Sequence, residues 1–207
     1  MSKFRLKEDH DMKENELLNI INLKKFFPVT RGFFHKVVGS IKAVNDVSFT
    51  IHENETLGLV GESGCGKTTL GRSILRIYEP TGGEIFFNNN GQKISLMNLD
   101  KKETRKIRVN MQAIFQDPFS SLNERMTVMD NVIEPLVANN IGNLQERKEK
   151  AEEILVQVGL KKEYLRRYPH SFSGGRRQRI GIARALVINP KFIVADEPVS
   201  NLDVSIQ

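Results

Sequence analysis

Residues 59–75 read LVGESGCGKTTLGRSIL, with Gly61, Gly64 and Gly66 inside six residues and Lys67, Thr68 and Thr69 directly after them. Glycine weakens strand and helix interiors by roughly 0.5–1 kcal/mol relative to alanine. Three of them between an apolar strand at 56–60 and a helix with Leu70, Ile74 and Ile77 at i, i+4 and i+7 imply that the main chain itself must touch a ligand there. The run Gly61, Glu62, Ser63, Gly64, Cys65, Gly66, Lys67, Thr68 fits G-x-x-x-x-G-K-[ST] in a strand–loop–helix setting. Bare N–H groups in a tight loop supply the many donors that a polyphosphate needs, and the following helix turns its positive end toward the anion. In that pattern Lys67 reaches the β- and γ-phosphates, the Thr68 hydroxyl ligates Mg²⁺, and Thr69 completes the cradle. Chance supplies such a match in on the order of one chain per hundred of this length. The motif specifies a nucleoside triphosphate and leaves the base undecided.

The rest of the chain limits the setting. Hydrophobic residues make up 39% of the 207 and charged residues 27%, a globular composition with enough chain for a real core. The net charge is +6, but the basic residues are scattered and their tightest cluster, Arg176, Arg177 and Arg179, is short; a nucleic-acid partner is not expected. One cysteine, Cys65, excludes an internal disulfide framework and suits a reducing compartment. The first residues are charged and lack the apolar core of a signal peptide, and no stretch reaches the length of a membrane span.

Residues 1–15 read as a solvated tail. Strands are expected at 17–27 and 41–51, separated by a loop, PVTRGFFHKVVGS. A hairpin at 84–87 and 93–96 turns through Asn90 and Gly91, and another strand follows at 109–115. Helices are expected at 127–137, at 145–158 with Gly159 at the C-cap, and at 174–188 with Ile180, Ala183 and Val187 on one side. This alternation argues for an α/β layer with a mainly parallel sheet.

Residues 191–195 form an unbroken apolar run that ends at Asp196 and Glu197. Such a run reads as a strand buried on both faces, and carboxylates at its C-terminal end lie where open α/β sheets bind ligands. Asp196 would hold Mg²⁺ through water, and Glu197 would act as general base on the attacking water. Ser171, Phe172, Ser173, Gly174, Gly175, Arg176, Arg177, Gln178 and Arg179 precede that strand. As local physics this is a helix start, with Ser173 able to cap and two glycines leaving N–H groups bare, a second anion site.

In this order and spacing the motifs resemble those of ABC-type ATPases, over essentially the whole chain from about Leu17. The 173–175 region is similar to the family's signature, Gln116 in Ile-Phe-Gln-Asp-Pro to its Q-loop, and Ser200, Asn201, Leu202 and Asp203 to its D-loop. Phe26 falls where the family stacks an aromatic ring on adenine. The resemblance implies a P-loop NTPase (RecA-like) core with an antiparallel β subdomain and an inserted α-helical subdomain at about 117–172, the whole nucleotide-binding domain spanning 16–207. The phrases FQDPFSSLNERMTV, YPHSFSGGRRQRIGIARAL and ADEPVSNLDVSIQ resemble the ATP-binding subunits of dipeptide and oligopeptide importers, and the FFPVTRGFF insertion resembles the second of the two ATPase subunits those importers carry. Nickel, glutathione and other small-solute importers share these phrases.

The chain departs from the family pattern at Arg176 (Gln there), Ser171 (often Glu) and Asn201 (Ala). All four histidines, His10, His35, His52 and His170, precede Asp196, so none can serve as the switch histidine that follows the D-loop. The chain is therefore expected to be a truncated product or a fragment. The resemblance implies a head-to-tail dimer in which ATP on one glycine loop is capped by Ser173, Gly174 and Gly175 of a second ATP-binding subunit, with Asp203 at the same junction. Gln116 would take part in catalysis and metal binding and pass the γ-phosphate state toward a transmembrane permease. The implied place is the cytoplasmic face of the membrane, with a solute-binding protein as indirect partner and ATP and Mg²⁺ as ligands. Two rival readings stand beside it: a nucleotide-binding module without effective turnover, and a soluble, non-transport ABC ATPase.

Overall fold

The computed structural model describes residues 15–32, 35–115, 117 and 121–198. The expected tail at 1–15 falls, except for Asn15, outside them. The chain divides into two compact units, Met1–Asp100 and Lys101–Gln207.

The first unit is built on an antiparallel sheet. Strands β1 (Glu16–Arg31), β2 (Lys36–His52), β3 (Gly82–Asn89) and β4 (Gln92–Ser95) lie in the order β2-β1-β3-β4. Leu18, Ile20, Leu23, Ile85 and Phe87 are fully buried on its inner face. Leu18 with Ile20 and Ile85 with Phe87 keep the period-2 alternation, while Leu23 follows a register shift in β1 after Ile20. The β3–β4 turn has Asn90 and Gly91 at φ of 58° and 82°, the left-handed pair expected.

The expected loop at 28–40 is corrected. β1 runs on to Arg31 and β2 begins at Lys36, with Pro28 opposite Ser40 and Arg31 opposite Lys36. Val29, Thr30, Val37 and Val38 are β-branched and favour extension. β1 pairs with β3 no further than Lys24, so Pro28 interrupts at most one ladder.

Helix α1 (Lys67–Ile74) follows the glycine loop and lies against β1 and β2, with Leu70 and Ile74 buried. It stops a turn before Ile77, which is exposed rather than on the expected apolar face. Arg76 has φ of 52°, and the N–H of Ile77 returns to the Arg72 carbonyl at 2.8 Å, a Schellman closure. A left-handed arginine costs about 1–2 kcal/mol. Its guanidinium offsets this by donating to the Leu99 carbonyl at 3.0 Å and to Glu79 at 2.8 Å. The strand expected at 56–60 is also absent. Within its unit this segment joins no ladder, and Leu57, Leu59 and Val60 are exposed. An apolar run without a paired neighbour has no partner for its peptide groups and forms no strand.

The second unit joins helices to a short parallel ladder. Helices α2 (Lys101–Ile107), α3 (Val128–Ala138), α4 (Leu144–Gln157) and α5 (Gly174–Leu186) accompany strands β5 (Met111–Ile114) and β6 (Phe192–Ala195). α2 was not legible in sequence, because a highly charged segment buries only Thr104 and Ile107. α3 and α4 start at capping boxes, Thr127 with Asp130 and Asn143 with Glu146. Val128, Val132, Leu136, Leu155, Ile180 and Ala183 close one core between α3, α4 and α5. The face expected on α5, Ile180, Ala183 and Val187, is the buried one. Among the described residues no helix is long and apolar enough to cross a membrane.

Candidate functional site

The glycine loop is exposed from Gly61 to Cys65 and ends in the first turn of α1. Gly66 is the N-cap residue at φ of 102°, and no side chain caps the helix. A Cβ there would lie 2.2 Å from the Ala43 carbonyl oxygen of β2. Gly66 is thus required both by its backbone angle and by space, and it seats the loop directly on the sheet. A Cβ at Gly61 would lie 2.7 Å from the Cys65 sulfur, across a turn in which the Cys65 N–H donates to the Glu62 carbonyl at 3.3 Å.

The Lys67 side chain folds back over this loop. Its ammonium donates to the Gly61 carbonyl at 2.6 Å and to the Glu62 carbonyl at 2.8 Å, and it stands 3.8 Å from the Cys65 sulfur. An ammonium has three N–H donors. Two are bound to carbonyls and fix its place inside the ring. The third faces a weak sulfur acceptor, which a phosphate oxygen displaces readily. A glycine-walled ring of main chain with a positive charge at its centre, opening on an uncapped helix N-terminus, fits a polyphosphate.

Phe26 belongs to the same unit. It pairs with Lys42 on β2, the residue before Ala43. The sheet therefore links the aromatic candidate to the loop through one β2 step. Phe26 is half-buried, with the Lys42 ammonium 5.8 Å from its ring centroid, and its main-chain N–H donates to the Thr81 hydroxyl at 3.2 Å.

The other candidates lie on the second unit. β6 pairs in parallel with β5, and the Asp196 N–H extends the ladder to the Ile114 carbonyl at 2.9 Å. Asp196 is half-buried and Glu197 exposed. Glu197 has φ of 46°, a left-handed conformation that costs a non-glycine residue about 1–2 kcal/mol. The expectation that β6 is buried on both faces is corrected. Phe192 is buried, Ile193 and Val194 half-buried and Ala195 exposed, because among the described residues of this unit β6 has β5 as its one strand neighbour.

Ser173 occupies the N-cap of α5, with Gly174 and Gly175 in its first turn. Its side chain, expected to cap, makes no cap hydrogen bond. Arg176, one of the departures from the family pattern, lies with its guanidinium 5.7 Å from the Tyr164 ring centroid. Gln116 and Asp203 lie outside the described residues, as do Ser200, Asn201 and Leu202.

Thr68, Asp196 and Gln116 are hard oxygen donors of the kind that Mg²⁺ takes alongside phosphate and water. Among the described residues no group of three or more His, Cys, Asp or Glu forms a metal cage. Sequence reading missed two features here. Buried Gln178 of α5 donates to the Phe115 carbonyl at 3.4 Å, tying the helix to the residue before Gln116. Arg177 binds Glu124 at 2.9 Å. Arg177 and Gln178 stand in the 171–179 run, but their partners Glu124 and Phe115 lie 53 and 63 residues away, and no local spacing points to them.

Gly66→Ala is expected to raise the dissociation constant for MgATP about tenfold or more, from the 1–2 kcal/mol of left-handed strain and the collision with Ala43. A titration with a fluorescent ATP analogue measures this.

Comparison with known proteins adds to this geometry. A family model described as ABC transporter matches residues 44–200. The oligopeptide transport ATP-binding protein AppF of Bacillus subtilis (strain 168) is 53% identical over 195 residues, covering 94% of this chain and 58% of AppF. OppF of the same organism, also an oligopeptide transport ATP-binding protein, is 52% identical over 196 residues, covering 93% of this chain and 60% of OppF. The chain thus spans about three-fifths of the length of these relatives. Among solved structures, the dimeric post-hydrolysis state of the ATP-binding cassette MJ0796 bound to ADP and Pi superposes with a TM-score of 0.78 at 32% identity, covering 92% of this chain and 78% of that one.

Proposed function

The chain belongs to the ABC transporter family, and from that membership we propose that it is the ATP-binding and ATP-hydrolysing part of an importer that draws peptides or similar small solutes through a membrane permease. One observation carries this reading: the Lys67 ammonium, held by the Gly61 and Glu62 carbonyls at the centre of a glycine loop, leaves a donor for phosphate. The likeness to AppF and OppF supports the peptide cargo.

In this reading the amides of residues 61–69 and Lys67 bind the triphosphate, and Phe26 stacks on the adenine. Thr68, Asp196 and Gln116 hold Mg²⁺, which neutralises phosphate charge when bound. Glu197 accepts the proton of the attacking water. Ser173, Gly174 and Gly175, with Asp203, face the nucleotide of a second ATP-binding subunit, so that ATP favours the closed dimer by binding it more tightly than the open one. The domain extends over residues 16–207, and its helical part, about 117–172, docks on the permease at the cytoplasmic face of the membrane. A solute-binding protein supplies cargo from the other side.

Cys65 offers a direct test, since its exposed thiol lies within the loop. A maleimide is expected to modify Cys65 several-fold more slowly in the presence of saturating MgATP, and the modified protein is expected not to bind nucleotide. Equal rates of modification with and without MgATP would count against occupation of the loop.

A further inference from the structure

Residues 173–175 are placed by a device outside their own motif. The side chain of Arg177, one turn into α5, folds back toward the helix start. Its Nε donates to the Phe172 carbonyl at 3.0 Å and its Nη2 to the His170 carbonyl at 3.3 Å. Its Nη1 donates to Glu124 Oε1 at 2.9 Å. The guanidinium therefore grips the two carbonyls that lead into Ser173 and anchors them to a carboxylate from a distant part of the unit. The Arg177 side chain is 13% exposed and that of Glu124 40%. An ion pair sheltered to this degree holds geometry better than a fully solvated one, which contributes little.

Glu124 is itself held. Asn131 of α3, 2% exposed, accepts the N–H of Asn123 at 2.8 Å and donates to the carbonyls of Asn123, Met126 and Thr127 at 3.0, 3.2 and 2.9 Å. These bonds fix the turn that carries Glu124 onto the start of α3. The other oxygen of Glu124, Oε2, is buried, accepts no hydrogen bond and lies 3.7 Å from His170 Nδ1. The His170 ring in turn stacks on Tyr168, with centroids 5.7 Å apart. Every link in this chain of contacts converges on the segment immediately before Ser173.

We propose that the pair of Glu124 and Arg177 is a positioning clamp that presets the uncapped amides of Ser173, Gly174 and Gly175 for the phosphates on the opposing subunit. This rests on the nucleotide reading above. The Ser173 side chain makes no cap, and Arg177 supplies a side-chain hold on the carbonyls of His170 and Phe172 that lead into α5. Neither clamp residue touches the glycine loop's own nucleotide in this scheme. Loss of the clamp therefore weakens the closed, hydrolysing state and leaves nucleotide capture by residues 61–69 intact.

The test compares Glu124→Ala and Glu124→Gln with wild type in the purified protein together with its ATPase partner. A fluorescent ATP analogue reports affinity in the presence of magnesium, phosphate release reports turnover, and thermal melting reports the fold. Glu124→Ala is expected to bind MgATP within twofold of wild type and to lower kcat about tenfold, with KM little changed. Glu124→Gln keeps an oxygen acceptor for Arg177 and is expected to recover a large part of that loss. A merely structural role would move melting temperature, affinity and turnover together and would not give this split. Wild-type turnover in a folded Glu124→Ala protein overturns the clamp while the nucleotide reading stands. Failure of the wild type to bind MgATP overturns the nucleotide reading and the clamp with it.

Discussion

Replacing Glu197 with glutamine is expected to leave MgATP binding intact and to lower turnover by on the order of a thousandfold, within the 10²–10⁴ that a positioned general base supplies. The two side chains are nearly isosteric, so the local fold has no reason to change. The left-handed φ of 46° at this position is a property of the backbone, and glutamine pays the same strain as glutamate. What disappears is the group able to take a proton from water. In the proposed site the substitution also removes one negative charge near the triphosphate, so affinity is expected to hold or rise. Phosphate release and analogue titration on the same preparation separate the two quantities. Undiminished turnover would remove Glu197 as the base and leave the glycine-loop assignment standing.

Lys67→Ala acts on the opposite step. Its expected effect is a loss of MgATP affinity of about a hundredfold, from roughly 3 kcal/mol for charge-assisted hydrogen bonds to the phosphates. The fold should survive the change. The carbonyls of Gly61 and Glu62 that now accept from the ammonium sit on an exposed loop, where water can replace the lost donor. Thermal melting is therefore expected to stay close to wild type while the titration curve moves far to the right. An unaltered dissociation constant in a direct titration would contradict the site at its centre. Together the two variants divide the proposed cycle: one loses capture, the other loses hydrolysis after capture.

The sequence made the helix starts and the glycine loop legible, because those signals are local. The structure adds the capping boxes, Thr127 with Asp130 and Asn143 with Glu146, that fix where the helices expected from 127 and 145 begin. Gly64 and Gly66 occupy the left-handed angles that a tight phosphate loop needs, at φ of 80° and 102°. Asn90 and Gly91 did the same for the hairpin turn. The period-2 pattern placed β1 and β2 but not their ends, since Pro28 and Gly39 resemble loop punctuation until the ladder shows Pro28 with no β3 neighbour. The 56–60 run shows the reverse error. Apolar composition alone does not make a strand where the unit supplies no ladder partner.

By itself the sequence determined which atoms are available at each candidate position: main-chain amides at residues 61–69, one ammonium at Lys67, carboxylates at Asp196 and Glu197. Those follow from residue type and short spacing, which survive any change of long-range packing. Only the tertiary structure decided that Gly66 rests on the Ala43 carbonyl, that Arg177 reaches back to His170 and Phe172, and that Glu124 meets it from 53 residues away. Contacts of that kind depend on where separate elements are brought in space by burial of a shared core, and no periodicity or local propensity encodes that distance.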